Sequence, residues 1–139
     1  APHPVEAKEC TWAEAAFGMV GLESALSVVQ QAVVDTGMLD WSDVARVLSS
    51  APARIGRLAG YDEPLAIGAP ANIALVDPAH AREWSTADLR GRSTNTPYLG
   101  RPLPGRVVHT IHRGVLTVDD GALVEPEAVA AAHQEVARG

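Results

Sequence analysis

Apolar residues recur at three- and four-residue spacing from Gly21 onward: Leu22, Ala25, Leu26, Val29, Ala32 and Val33, with Glu23, Ser24, Ser27, Gln30 and Gln31 on the other face. That period predicts an amphipathic helix closed by Gly37. Trp41, Val44, Val47 and Leu48 make a second stripe, with Asp40 at its N-cap and Asp43 three residues on in a capping-box-like position, and this helix is expected to run to about Ser50. Pro52 suits the first turn of a third, short helix through Leu58, although Ala51 before it is a poor cap, costing ~1 kcal/mol relative to Ser or Asn. Past Gly60 the helical period stops. The short apolar runs PLAIG, NIALVD, GRVVHTIHRG and VLTVDDGALV read as strands, with Asp119-Asp120-Gly121 a tight turn. Residues 79–105 mix charge, proline and glycine with few apolar positions and predict an irregular excursion. The tail PEAVAAAHQEVARG predicts a terminal helix with a thin apolar face that frays easily. Helices followed by strands, without alternation, would not close a barrel or a doubly wound sheet, so the pattern reads as the end of something larger.

Composition narrows the function classes. The chain has 139 residues, 47% of them hydrophobic and 20% charged, as globular domains do. No run approaches the ~18 apolar residues of a membrane helix, so no membrane association is expected. A net charge of −6, scattered arginines and 4% aromatics give neither a phosphate-tracking surface nor a stacking platform, which argues against nucleic acid as a partner. The single cysteine, Cys10, cannot form an internal disulfide, and a reducing cytoplasm is the expected compartment.

The candidate chemistry is sparse. Residues 1–20 read as a loop, and a long ordered loop is usually functional. Within it His3 lies between Pro2 and Pro4, which limit the backbone on both sides and pre-organise the side chain. His109 and His112 sit three apart in a predicted strand and so point to opposite faces. With His80 and His133 they read as ordinary histidines, and no metal ligand is assigned. Cys10 has Lys8 nearby but also Glu6 and Glu9, so it reads as a passive thiol. The FGMVG run leads into a predicted helix N-terminus, where free N–H groups favour an anion, most simply a carboxylate.

In order along the chain, APH at 1–3, EAK at 6–8, FGMVGLESAL at 17–26, PARIGRLAG at 52–60, GAPANIALVDP at 68–78 and NTPYLGRPLPGRV at 95–107 resemble bacterial dihydroorotases of the cyclic amidohydrolase group. The likeness runs from residue 1 to about 124. FGMVGLE and NTPY have counterparts in hydantoinases and allantoinases, whereas the combination with APH and EAK leans to dihydroorotase.

The resemblance implies an α/β chain forming the C-terminal part of an amidohydrolase (β/α)8 TIM barrel plus C-terminal strands of an accessory β-sandwich. Residues 1–60 would end the barrel, with its active-site loop and closing helices; 61–124 would be sandwich strands; 125–139 would be a tail. Family members are about three times as long, since a barrel alone takes ~250 residues. The family reaction is reversible, zinc-dependent hydrolysis of L-dihydroorotate to N-carbamoyl-L-aspartate in pyrimidine biosynthesis, with a proton-transfer aspartate expected just upstream of Ala1. No catalytic residue and no zinc ligand is therefore assigned to this chain. By position, His3 resembles the histidine that binds the substrate carboxylate, and the backbone of Phe17 and Gly18 resembles the pair that closes over it. Ala51 and Asn72, the latter where the family often has Asp, depart from the pattern away from that site. The expected partners are the small substrate, further copies of the protein, and an aspartate transcarbamoylase, for which a metal-free relative would act as a structural subunit. Without the rest of such a protein, the apolar faces at 22–33 and 44–48 should be exposed.

Overall fold

The computed structural model describes residues 2–138. Two helical rods precede a four-stranded antiparallel sheet, and a helix closes the chain.

The first rod is α1, Ala25–Val29, continued by a wider π turn over Gln30–Val34, in which the Asp35 N–H reaches five residues back to the Gln30 carbonyl at 3.0 Å. It ends as expected at Gly37, whose φ of 73° glycine tolerates at no steric cost. Its most buried positions differ from the expected ones, although Leu26, Val29 and Val33 are partly buried and Gln31 is exposed as expected. Ser24, Ser27 and Gln30, assigned to the polar outer face, are 3–4% exposed, whereas Leu22 is 89% exposed. The cause is local. Ser27 Oγ donates to the Gly105 carbonyl at 3.2 Å, and Gln30 Nε2 donates to the Pro78 carbonyl at 2.9 Å, so small polar side chains bring the helix close against the sheet. Gly105 makes that approach possible: a Cβ there would lie 2.3 Å from Gln30 Oε1.

The second rod starts with the expected capping box. Asp40 Oδ1 accepts from the Asp43 N–H at 2.9 Å, and Asp43 Oδ2 accepts from the Asp40 N–H at 3.5 Å. α2, Trp41–Ala45, passes through a π turn at Arg46–Ser50 into α3, Ala51–Ile55. The expected third helix is formed as α3 with Pro52 in its first turn, but it follows the π turn without a break, Ser50 and not Ala51 stands at its cap position, and it ends at Ile55 short of Leu58. The widened turn directly precedes Pro52, whose ring lacks an N–H and crowds the carbonyl four residues back in a regular α-helix.

The strands are β1 Ile73–Glu83, β2 Pro102–His112, β3 Val115–Asp119 and β4 Ala122–Leu123, in sheet order β1-β2-β3-β4. β1 and β2 are longer than expected. Ala81, Arg82 and Glu83 pair with Pro104, Leu103 and Pro102, so both ends of the predicted excursion are ladder and only its middle is irregular. Register shifts after Leu75 and after Asp77 absorb the poorly alternating sequence. PLAIG, expected as a strand, is a run of turns and bends with Leu65 and Ile67 exposed. Two-residue hairpins at Arg113-Gly114 and Asp120-Gly121 have positive φ at both positions, the geometry whose twist matches antiparallel strands.

The buried apolar core is small: Val44, Ala53, Trp84, Leu103 and Val115 among the described residues. Polar ties supplement it. Asn72 Nδ2 donates to the Gly60 carbonyl at 3.3 Å while Oδ1 accepts from the Arg113 N–H at 2.9 Å. An aspartate there could accept but not donate, so asparagine serves both neighbours. The terminal helix α4, Pro126–Val136, is docked rather than free: His133 Nε2 lies 3.1 Å from the His112 carbonyl, and the His112 ring stacks on Tyr61, whose hydroxyl is 2.8 Å from His112 Nε2.

Candidate functional site

Pro4, with φ −65° and ψ 151°, delivers the chain into a 3-10 turn at Val5–Lys8. That turn is folded back onto residue 16. The Ala16 N–H donates to the Ala7 carbonyl at 3.0 Å, and Lys8 Nζ donates to the Ala16 carbonyl. The EAK stretch is thus used to shape the loop, and Lys8 is occupied in doing so.

His3 is half-buried and anchored from a distance in sequence. Its backbone N–H donates to Ser93 Oγ at 3.1 Å and lies 3.4 Å from Asn95 Oδ1, and its carbonyl accepts from the Ser93 hydroxyl. Ser93 Oγ is also 2.6 Å from Asn95 Oδ1. Asn95 Nδ2 faces the imidazole, 3.3 Å from Nδ1 and 3.1 Å from Nε2. The Asn95 backbone carbonyl accepts from the Val20 N–H at 3.2 Å, which ties the FGMVG segment to the same loop. Gly18 takes a φ of 85°, a conformation that side chains resist.

Two neighbouring hollows result. One, about 480 Å³, is bordered by His3, Glu6, Arg92 and Ser93; the other, about 630 Å³, by Lys8, Gly18, Asn95 and Pro97; both share Val5 and Thr94. The structure therefore brings His3 and Gly18 to adjoining hollows, divided by a common wall. The Phe17 side chain lines neither and is 90% exposed. The helix N-terminus read as an anion site does not adjoin Gly18, because a turn at 22–24 precedes α1 and the Ala25 N–H is already 3.4 Å from the Leu22 carbonyl. Beside this turn Glu23 accepts from the Arg90 N–H at 3.0 Å, which holds its carboxyl below the usual carboxylate range.

The other histidines are engaged elsewhere. His109 Nδ1 lies 3.1 Å from Asp119 Oδ1 and His112 meets Tyr61, so the HTIH pair has separate partners. His80 borders a hollow between α1 and the sheet with Arg82 and Trp84. Cys10 is exposed, its thiol 3.7 Å from the Ala7 carbonyl. Among the described residues no three His, Cys, Asp or Glu are grouped to hold a metal ion, and no helix is long and apolar enough to cross a membrane. Ser93 and Asn95 were missed by motif reading. Asn95 opens the NTPY run and Ser93 lies two residues before it, but nothing in that run relates it locally to a histidine 92 positions from Asn95.

No family model matches the chain. The chain is 67% identical over 125 residues to the dihydroorotase of Leifsonia xyli, covering 90% of this chain and 28% of that protein. It is 56% identical over 123 residues to the dihydroorotase of Streptomyces coelicolor, covering 88% and 29%. Among solved structures it resembles the L-hydantoinase (dihydropyrimidinase) of Arthrobacter aurescens, with TM-score 0.76, 27% identity, and 88% of this chain against 28% of that one. A D-hydantoinase (dihydropyrimidinase) from Thermus shares the fold at TM-score 0.75 and 21% identity. The chain thus spans 28–29% of the length of these curated relatives.

Proposed function

The chain is a sequence relative of the dihydroorotases over 90% of its length, and on that footing we propose that it is a segment of a dihydroorotase. The protein containing it would hydrolyse the cyclic amide of L-dihydroorotate to N-carbamoyl-L-aspartate, reversibly, in pyrimidine biosynthesis. The observation that carries this reading is the 67% identity over 125 residues, against 27% to the L-hydantoinase.

In this reading residues 1–60 end the barrel domain, 61–124 contribute to the small β-sandwich, and 125–139 form the tail. The exposure of Leu22, Val47, Leu48 and Ile55 supports such a division, since large apolar side chains in a row are otherwise costly in water. His3 binds the substrate carboxylate. A ring N–H aimed at a carboxylate oxygen gives a charge-assisted bond, and the surrounding prolines and Ser93 keep the ring from wandering. The Phe17 and Gly18 backbone adds donors from the other side, and the absence of a side chain at Gly18 lets a small ligand approach. Among the described residues no three His, Cys, Asp or Glu side chains are grouped to hold a zinc ion, so zinc and the proton-transferring aspartate would be held elsewhere in the protein. Self-association, a contact with an aspartate transcarbamoylase and a cytoplasmic setting belong to the same proposal.

The test is a comparison of two polypeptides. The full-length protein should hydrolyse dihydroorotate, and the purified 139-residue chain alone should not. Turnover of hydantoin or allantoin in place of dihydroorotate would move the protein to another branch of the superfamily; turnover by the chain alone would refute the assignment of the catalytic groups.

A further inference from the structure

We propose that Asn95 is a positioning residue that braces the His3 ring and holds the Gly18 turn in register with it; this rests on the carboxylate-binding role given to His3. Asn95 is 7% exposed, so its amide has little access to water and depends on protein partners. Its orientation follows from those partners. Oδ1 faces two donors, the His3 N–H at 3.4 Å and the Ser93 hydroxyl at 2.6 Å, which leaves Nδ2 to face the ring. The single Ser93 proton can go to Oδ1 or to the His3 carbonyl; donated to Oδ1 it bridges His3 and Asn95, since Ser93 Oγ also accepts from the His3 N–H.

Nδ2 carries protons and can only donate. In neutral imidazole one nitrogen accepts and the other carries the proton. The two distances, 3.3 and 3.1 Å, are nearly equal, which places Nδ2 against the face of the ring and off either nitrogen's in-plane lone pair, so the amide braces the ring without fixing which nitrogen carries the proton. The backbone carbonyl of the same residue holds the Val20 N–H, two residues beyond Gly18. One buried residue thus connects both loops to which substrate binding is assigned.

The experiment is a double-substitution cycle of Asn95→Ala and His3→Ala in the full-length protein, with dihydroorotate as substrate. Asn95→Ala should raise KM about tenfold, the size of one hydrogen bond to a charged partner, with kcat changed less than about twofold. In the His3→Ala background the same substitution should change KM by less than about twofold. Losses that multiply in full, or that fall on kcat, overturn the proposal. Should Asn95→Ala fail to fold, Asn95→Asp takes its place, since it keeps the shape and the Oδ1 acceptor but removes the donor. A second readout is independent of turnover: NMR relaxation of the His3 ring should show it less restrained in Asn95→Ala than in the wild type, and a ring equally restrained in both overturns the proposal. If the wild-type protein does not hydrolyse dihydroorotate, the functional reading fails while the ring measurement still decides the positioning role.

Discussion

Gly105 illustrates how much a single position decides here. Its φ of 78° disfavours any side chain, and Gln30 Oε1 occupies the space a Cβ would need. Gly105→Ala should therefore destabilise the protein by about 2 kcal/mol or more, read as a lower thermal midpoint, and Gln30→Ala in the same chain should recover part of the loss. At this scale the sequence was uneven to read. His3 was legible because its two prolines are adjacent in sequence and their backbone restriction is intrinsic. Asn95 was not, because its value comes from a contact 92 residues away, which no spacing rule encodes. Ser27 and Gln30 were placed on the wrong side of their helix: sorting residues by polarity presumes one buried face, while this helix buries short polar side chains that find carbonyl acceptors at Gly105 and Pro78.

Among the elements, those governed by local chemistry agree with the sequence pattern. The Asp40–Asp43 box and the Asp120-Gly121 turn each depend on a few adjacent residues with one favourable geometry. Pro52 lies in the first turn of α3 as its chemistry predicts, but the sequence does not show that a π turn joins this helix to the one before it. The ends of 79–105 were misread because Pro102 and Pro104 mark a break by propensity, yet prolines are tolerated where no ladder N–H is required. Carboxylates tie several elements together. Arg46, with the Asp40 N–H, lowers the Asp43 pKa. For Asp88 burial acts to raise the pKa, but bonds from Arg82 and from the Ser85 N–H and hydroxyl outweigh it, and the net shift is downward. Glu23 is lowered by the Arg90 N–H. A depressed folded pKa means stability that is complete above the unfolded value and is lost as pH falls through the folded one. The thermal midpoint should therefore hold steady above the ordinary carboxylate range and fall as pH drops through it. Glu23→Gln should flatten part of that fall, and a midpoint indifferent to acid would contradict these assignments.

For the whole molecule, a small buried core beside many exposed large apolar side chains is what the proposed reading, a segment of a larger fold, predicts. Helices followed by a sheet, puzzling as an independent domain, match stretches of hydantoinase structures at TM-scores of 0.75–0.76. The central claim is that His3 recognises the carboxylate that distinguishes dihydroorotate from an uncharged cyclic amide. It is tested most directly by kcat/KM of the full-length protein for dihydroorotate and for dihydrouracil, which lacks that carboxylate, with and without His3→Ala. The account predicts that the wild type prefers dihydroorotate and that His3→Ala lowers that preference by about tenfold or more, as expected for the loss of a charge-assisted hydrogen bond. A preference left unchanged by His3→Ala would contradict it.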